Sequence, residues 1–225
     1  GYDDKNIIKK VLESSLLAKN NLYFFERDGY VLNKNSISSN KLFEIIEISR
    51  KKNKPLNIVD FGGSLGSEYF KIKDIINLKH KNNWYIIEQK NFVEKGKKFF
   101  KDKNLKFLNN IKDLKNKKID LLILSGSIHY LDNPKNVFQN LVKLKPKYLF
   151  VDRTPINQKI KNHSIFVQKK GNSSYPFWMF SEKKLYEMFK KNNYRVKECI
   201  SSEFDHNLVI KNFKIQYKGY ILKSI

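Results

Sequence analysis

Residues 57–61, Asn-Ile-Val-Asp-Phe, form an apolar run with an acid near its end, and Gly62-Gly63-Ser64-Leu65-Gly66-Ser67 follows at once. Glycines permit positive φ and let a ligand come close to the backbone. A helix that begins just after such a turn offers free N–H groups and the positive end of its dipole to a polar or negative ligand. The combination reads as a nucleotide-cofactor turn after the first strand of a doubly wound sheet. Asp60, Gly62, Gly63, Ser64 and Gly66 are its candidate contacts. Glu88, followed by Gln89, ends the next apolar run at residues 84–87. A carboxylate at that strand end is suited to accept both ribose hydroxyls of a nucleotide.

Further candidates fall at the ends of later apolar runs. Asn110 and Ile111 follow residues 105–108, where a polar side chain meets an adenine edge and an apolar one covers its ring. Residues 121–124 lead into Ser125-Gly126-Ser127-Ile128-His129-Tyr130. Ligands in open α/β sheets lie beyond the carboxyl ends of the strands, so this segment belongs where a transferred group meets its acceptor. His129 could serve there as a general base, with Tyr130 beside it; capping or packing explains His129 equally well. Asp152 and Arg153 end the fifth run, 148–151. Asp152 is a candidate base and Arg153 a clamp for an anionic group, with a structural ion pair as the other reading. Glu26-Arg27-Asp28 lies in the N-terminal region, where a lid over the site would sit, with Glu26 and Arg27 as candidate substrate contacts; a solvated charged turn is the other reading. Tyr175 and Trp178 belong to an aromatic segment, 174–180, read as a loop able to floor a sugar or acyl pocket, with ordinary core packing the equal alternative.

The elements that must position these residues follow from periodicity. Ile7, Ile8, Val11, Leu12, Leu16 and Leu17 recur at helical spacing, with Asp3 and Asp4 as caps. Residues 23–39 look irregular, and Leu42 to Ile48 form a second helix. From residue 56 short apolar runs alternate with amphipathic stretches near 67–79, 91–101 and 134–144, the pattern of a parallel sheet buried on both faces. Residues 182–191 form a helix capped by Ser181, and two more extended runs cover 194–200 and 213–222. The expected organisation is a helical extension or lid, 1–54, followed by one compact cofactor-binding domain, 55–225.

Composition narrows the function classes. The 225 residues carry a formal charge of +23 and a single cysteine, Cys199, which excludes a disulfide framework and a cysteine-based zinc site. No metal is expected. No apolar run reaches the roughly 18–20 residues of a membrane span, and no basic-then-apolar leader is visible, so a cytoplasmic protein is expected. The charge invites a nucleic-acid reading, but only Arg27, Arg50, Arg153 and Arg195 are arginines and the remaining basic residues are lysines spread along the chain. Specific phosphate recognition favours the bidentate guanidinium, so the excess reads as a solvated lysine surface.

The spacing of the turn selects a cofactor. It does not fit the Gly-x-Gly-x-x-Gly of dinucleotide binders, which argues against a nicotinamide dehydrogenase, and no Gly-Lys-Ser/Thr follows, which excludes a P-loop. It fits Asp-x-Gly-x-Gly-x-Gly, the first motif of class I S-adenosylmethionine (SAM) methyltransferases, with Ser64 in place of the middle glycine. Over residues 1–182 the chain resembles a family of SAM-dependent methyltransferases encoded in bacterial O-antigen and surface-polysaccharide gene clusters. The matching pieces are Gly1-Tyr2-Asp3-Asp4, Glu26-Arg27-Asp28, residues 60–67, Tyr69-Phe70 and Glu88-Gln89, then Ser125, Tyr130-Leu131, Asp152-Arg153-Thr154-Pro155, Ser174-Tyr175-Pro176, Trp178 and Phe180-Ser181-Glu182. Ser64 belongs to that family's own version of the turn; His129 is not among its regular residues. The resemblance implies an α/β, Rossmann-like fold with a mostly parallel seven-stranded sheet, helices on both faces and an N-terminal helical extension. It also implies SAM as methyl donor, S-adenosylhomocysteine (SAH) as product, and an oxygen or nitrogen of a sugar or phosphoryl-type glycan intermediate as acceptor. An RNA-directed methyltransferase or RNA-binding module, and a SAM-binding partner protein without activity, are the alternatives.

Overall fold

The computed structural model describes residues 5–19, 21, 23–33, 41–51, 54–76, 82–170, 173–201, 208–210 and 213–225. The caps expected at Asp3 and Asp4 lie outside these residues. The chain divides into two compact units, Gly1–Asp120 and Leu121–Ile225.

The first unit runs α1 (Lys5–Lys19), β1 (Phe24–Arg27), β2 (Tyr30–Asn33), α2 (Lys41–Ser49), β3 (Leu56–Phe61), α3 (Ser67–Ile76), β4 (Asn82–Ile87), α4 (Lys90–Phe99), β5 (Leu105–Leu108) and a 3-10 turn, Ile111–Leu114. Helix α1 buries Ile8, Val11, Ser14, Ser15 and Ala18. That stripe leaves Leu16 and Leu17 exposed, contrary to the apolar face expected from the sequence. The irregular segment also differs from expectation: β1 and β2 form an antiparallel hairpin, Phe24↔Asn33 to Arg27↔Tyr30. Its turn is Asp28-Gly29, both at positive φ (51° and 81°), the combination that two-residue hairpins require.

Strands β3, β4 and β5 are parallel; β3 and β4 are buried, as their apolar runs predict, while β5 alternates, with Leu105 and Phe107 buried and Lys106 exposed. Their registers bring Phe61, Ile87 and Leu108 level. The residues that leave the strands therefore start side by side. Two further bonds carry the ladder past the strand ends, from Gly62 N–H to Ile87 O (2.9 Å) and from Glu88 N–H to Leu108 O (3.1 Å).

The second unit runs β6 (Leu121–Ser125), a 3-10 turn (Ile128–Tyr130), α5 (Pro134–Val142), β7 (Tyr148–Asn157), β8 (Ser164–Lys170), β9 (Ser173–Ser181), α6 (Glu182–Lys191), β10 (Tyr194–Ser201), β11 (Leu208–Ile210) and β12 (Phe213–Ser224). Strands β6 and β7 are parallel, from Leu121↔Tyr148 to Ser125↔Asp152. Strand β12 runs antiparallel to both β7 and β10. The seven strands of the expected sheet are thus present, β3 to β5 in the first unit and β6, β7, β10 and β12 in the second.

Two expectations for this unit need correction. Strand β7 does not end at Asp152-Arg153 but continues to Asn157. The segment 174–180 is not a loop: β9 pairs with β8 in a hairpin, Ser164↔Met179 to Lys170↔Ser173, and touches β7 at Ile156↔Phe180. Its apolar alternation, with Phe177 and Met179 buried, is that of a strand. Helix α5 is capped by Asn133, whose side chain accepts from Asn136 N–H (3.0 Å), with Pro134 in the first turn. Ser181 does occupy the cap position of α6, but its side chain makes no capping bond; its backbone N–H donates to His163 Nδ1 (3.1 Å).

Candidate functional site

In the first unit the glycine turn spans the gap between β3 and α3. Gly62, Ser64 and Gly66 hold positive φ of 74°, 54° and 98°. For the two glycines this costs little; for Ser64 it is an uncommon state. Gly66 N–H bonds Gly63 O (3.0 Å), and Phe70 N–H bonds Gly66 O (2.9 Å), so the turn passes directly into the helix.

Glu88 holds this turn from the neighbouring strand end. Its Oε1 accepts from Ser64 N–H (3.1 Å) and its Oε2 from Gln89 N–H (2.8 Å). The half-buried carboxylate at the end of β4 therefore steadies the left-handed Ser64 and still borders the strand-end edge. Gln89 is exposed at the start of α4.

Asp60 is buried beneath the turn. It is 1% exposed and accepts from Trp84 Nε1 (3.3 Å). A Cβ on Gly63 would fall 2.5 Å from the Asp60 carboxyl, so the turn folds over this acid only because position 63 has no side chain. Burial, reinforced by the nearby Glu68 and Glu88 charges, pushes the Asp60 acid up to about 8 despite the Trp84 hydrogen bond. After β5, the Asn110 side chain caps the 3-10 turn by accepting from Lys112 N–H (2.9 Å), and Ile111 is half-buried behind it. Asn109 Nδ2 donates to Glu88 O (3.3 Å).

The N-terminal acid expected to face substrate does something else. Glu26 is 4% exposed. Its Oε1 accepts from Gly29 N–H (2.8 Å), closing the hairpin turn, and its Oε2 accepts from Ser67 Oγ at the start of α3. Arg27 is largely covered, with Nε 3.8 Å from Asp28. Enclosed in this way, the carboxylate is turned to the protein, each oxygen accepting one hydrogen bond.

In the second unit Ser125, the last residue of β6, pairs with Asp152 in the middle of β7. Gly126, at φ 67°, donates its N–H to Asp152 O (3.1 Å). Asp152 and Arg153 form a bulge: on β12, Lys218 pairs with Thr154 and Tyr220 with Val151, so two residues of β7 face Gly219 alone. Arg153 takes φ 54° there. Its guanidinium covers Gly126, where a Cβ would come within 3.0 Å of Cζ. A Cβ on Gly219 would meet Asp152 Oδ1 at 2.6 Å. Strained, close-packed backbone of this kind concentrates at ligand sites.

His129 is 3% exposed and lies against Tyr130, ring centroids 4.1 Å apart. Tyr130 meets Tyr175 edge-on at 5.6 Å and donates its hydroxyl to Gln168 Oε1 (3.2 Å). Trp178 Nε1 donates to Leu131 O (2.9 Å). Tyr130 further packs on the buried cluster of Phe177, Met179 and Ile215. The structure thus gathers His129, Tyr130, Tyr175 and Gln168 into one aromatic and polar group, and Asp152, Arg153 and Gly126 into another. Sequence reasoning missed Gln168, which alternation within β8 could have flagged, and Gly219, for which no local signal exists. Among the described residues no group of three His, Cys, Asp or Glu could hold a metal ion, and no helix is long and apolar enough to cross a membrane.

No family model matches this sequence, and no curated protein matches it either. Solved structures do. The chain is similar to a SAM-dependent methyltransferase from Methanosarcina mazei (12% identity, 84% of this chain and 99% of that one, TM-score 0.57). It is similar to a SAM-dependent methyltransferase from Clostridium acetobutylicum (12% identity, 86% and 92%, TM-score 0.55). It is also similar to the N-terminal domain of EvdMO1, crystallised in the presence of SAH and D-fucose (7% identity, 96% and 97%, TM-score 0.56). At these identities the likeness establishes the fold: a Rossmann-like, class I methyltransferase architecture with an N-terminal helix.

Proposed function

We propose that the protein is a SAM-dependent methyltransferase that methylates an oxygen or nitrogen of a small acceptor. The observation that carries this reading is the Gly62–Gly66 turn, left-handed at three positions, opening α3, and braced by Glu88 through Ser64 N–H. Such a turn fits the cofactor: backbone is available for close approach, and a carboxylate stands at the next strand end. Gly62, Gly63, Ser64 and Gly66 would line the donor, Glu88 would accept its ribose hydroxyls, and Asn110, Ile111 and Gln89 would border the base. SAM supplies an electrophilic methyl group on a sulfonium, which leaves as the neutral thioether SAH.

Within the second unit, an aromatic and polar group is the proposed acceptor site. Tyr130, Tyr175 and Trp178 offer ring faces and edges to a sugar or other flat, partly apolar group, and Gln168 offers an amide. Arg153 would hold an anionic substituent. Asp152 is the favoured base for an acceptor hydroxyl; His129, packed on Tyr130 at 3% exposure, is better placed to orient that tyrosine than to take a proton from solvent-facing substrate. A sugar or phosphoryl-type glycan intermediate of bacterial surface-polysaccharide synthesis is the acceptor class proposed, on the family resemblance. The presence of D-fucose in the EvdMO1 crystals makes deoxysugars a sensible first panel.

Calorimetry with SAH tests the cofactor reading. Glu88→Ala is expected to weaken SAH binding by roughly 1–3 kcal/mol through loss of charged hydrogen bonds. Folded wild-type protein that binds no SAH at millimolar concentration overturns the proposal.

A further inference from the structure

We infer that Glu26 is a positioning residue for the cofactor turn: through it the β1–β2 hairpin sets where helix α3 begins. The inference rests on the reading of residues 62–66 as the SAM turn. Burying a carboxylate is costly unless hydrogen bonds compensate. Glu26, 4% exposed, has two donors of different kinds. One is local, the Gly29 N–H that closes its own hairpin turn (2.8 Å); the other, Ser67 Oγ, is far along the chain and belongs to the first residue of α3. Ser67 directly follows Gly66, the last left-handed residue of the turn. A shift of Ser67 therefore moves Gly66 with it.

The hairpin is well placed to deliver this restraint, because both sides of it are gripped. On one side the Lys10 stem of α1 lies along Gly29, where a Cβ would meet its Cγ at 3.1 Å, and its ammonium sits 3.8 Å over the Tyr30 ring. On the other, Lys71 of α3 lies 5.4 Å over the ring of Phe25, the buried neighbour of Glu26. The hairpin thus spans from α1 to the first turns of α3, and Glu26 is its polar link to the cofactor turn. This replaces the substrate-facing role that sequence alone suggested for Glu26.

The test uses the full chain with Glu26→Ala, Ser67→Ala, their double variant and Glu26→Gln. Two readouts are taken: amide hydrogen exchange across residues 62–70, and SAH affinity by calorimetry. Both alanine variants are expected to speed exchange in that segment and to weaken SAH by roughly tenfold, the scale of one lost charge-assisted hydrogen bond. The double variant is expected to be no weaker than Glu26→Ala. Glu26→Gln, whose amide can still accept from Gly29 and meet Ser67, is expected to restore most of the affinity. Unchanged exchange at 62–70 in both alanine variants overturns the inference, as does faster exchange with wild-type SAH affinity. If Glu26→Ala does not fold, Ser67→Ala decides alone, since it leaves the hairpin turn intact. Faster exchange in a protein whose wild type binds no SAH supports the mechanical link and instead overturns the cofactor reading.

Discussion

The glycine turn of the first unit and the bulged strand of the second each hold left-handed backbone, by different means. The turn follows the carboxyl end of a parallel strand, whereas the bulge lies within one. In the turn, left-handed conformations fall mainly on glycines, and the one exception, Ser64, is braced by Glu88. In the bulge, the left-handed residue is Arg153 itself, and the glycines stand opposite it, at 126 and 219, making room for its side chain and its neighbour. The first arrangement clears space for a ligand to reach the main chain. The second spends backbone strain on fixing one large cation.

The largest expected effect attacks the turn. Gly62→Val forces a β-branched residue into φ 74°, costing at least about 1–2 kcal/mol and blocking close approach; SAH binding should vanish in calorimetry. Retained affinity would show that the turn and the bulge do not differ as described. Gly219→Ala attacks the other side. Its Cβ would lie 2.6 Å from both Asp152 Oδ1 and Ile200 Cγ1, so overpacking of roughly 1–3 kcal/mol is expected in denaturant titration, with SAH affinity kept and acceptor turnover reduced.

Asp60→Asn separates support from contact. Burial pushes the native acid up to about 8 from an ordinary 3.8, so between those values the folded chain holds a proton that the unfolded chain has lost. Stability must therefore fall as pH rises through that window. The asparagine variant should gain most over wild type near pH 8 and least near pH 4, read as melting temperature across pH. A pH-independent difference would mean that Asp60 is not buried beneath the turn. Tyr130→Phe removes the bond to Gln168 at about 0.5–1.5 kcal/mol while keeping the ring contacts; a raised acceptor KM with unchanged SAH affinity is expected. The smallest effect is Ser64→Gly. Relief of left-handed strain opposes added unfolded-state entropy, so a net change within about 1 kcal/mol is expected by denaturant titration.

Legibility followed the range of the interactions involved. Strands β3 to β5 and helix α6 could be read almost to the residue, because an apolar run or a helical period is a local property. The glycine turn was equally plain, since its constraint is steric and lies within seven residues. What could not be read depended on partners distant in sequence. Glu26 reads locally as a solvated acid in a charged turn, and its partner Ser67, 41 residues along the chain, lies outside any local pattern. The bulge at Asp152-Arg153 looked like a strand end, because Gly219 opposite it is 66 residues later. The Asp28-Gly29 hairpin was the avoidable miss: that dipeptide between Phe24–Arg27 and Tyr30–Asn33 is a recognised turn signal.

The extra residue in β7 has one more consequence. Side chains along a strand alternate in phase, and an inserted residue resets that phase for everything beyond it. Residues 154–157 are buried in the pairing they have only because two residues, Asp152 and Arg153, are counted against one. Deleting either would rotate the whole distal half of the strand by one step, turning Thr154 and Ile156 to the opposite face and carrying the junction with β9 out of frame. The bulge therefore works as a punctuation mark between two reading frames of a single strand.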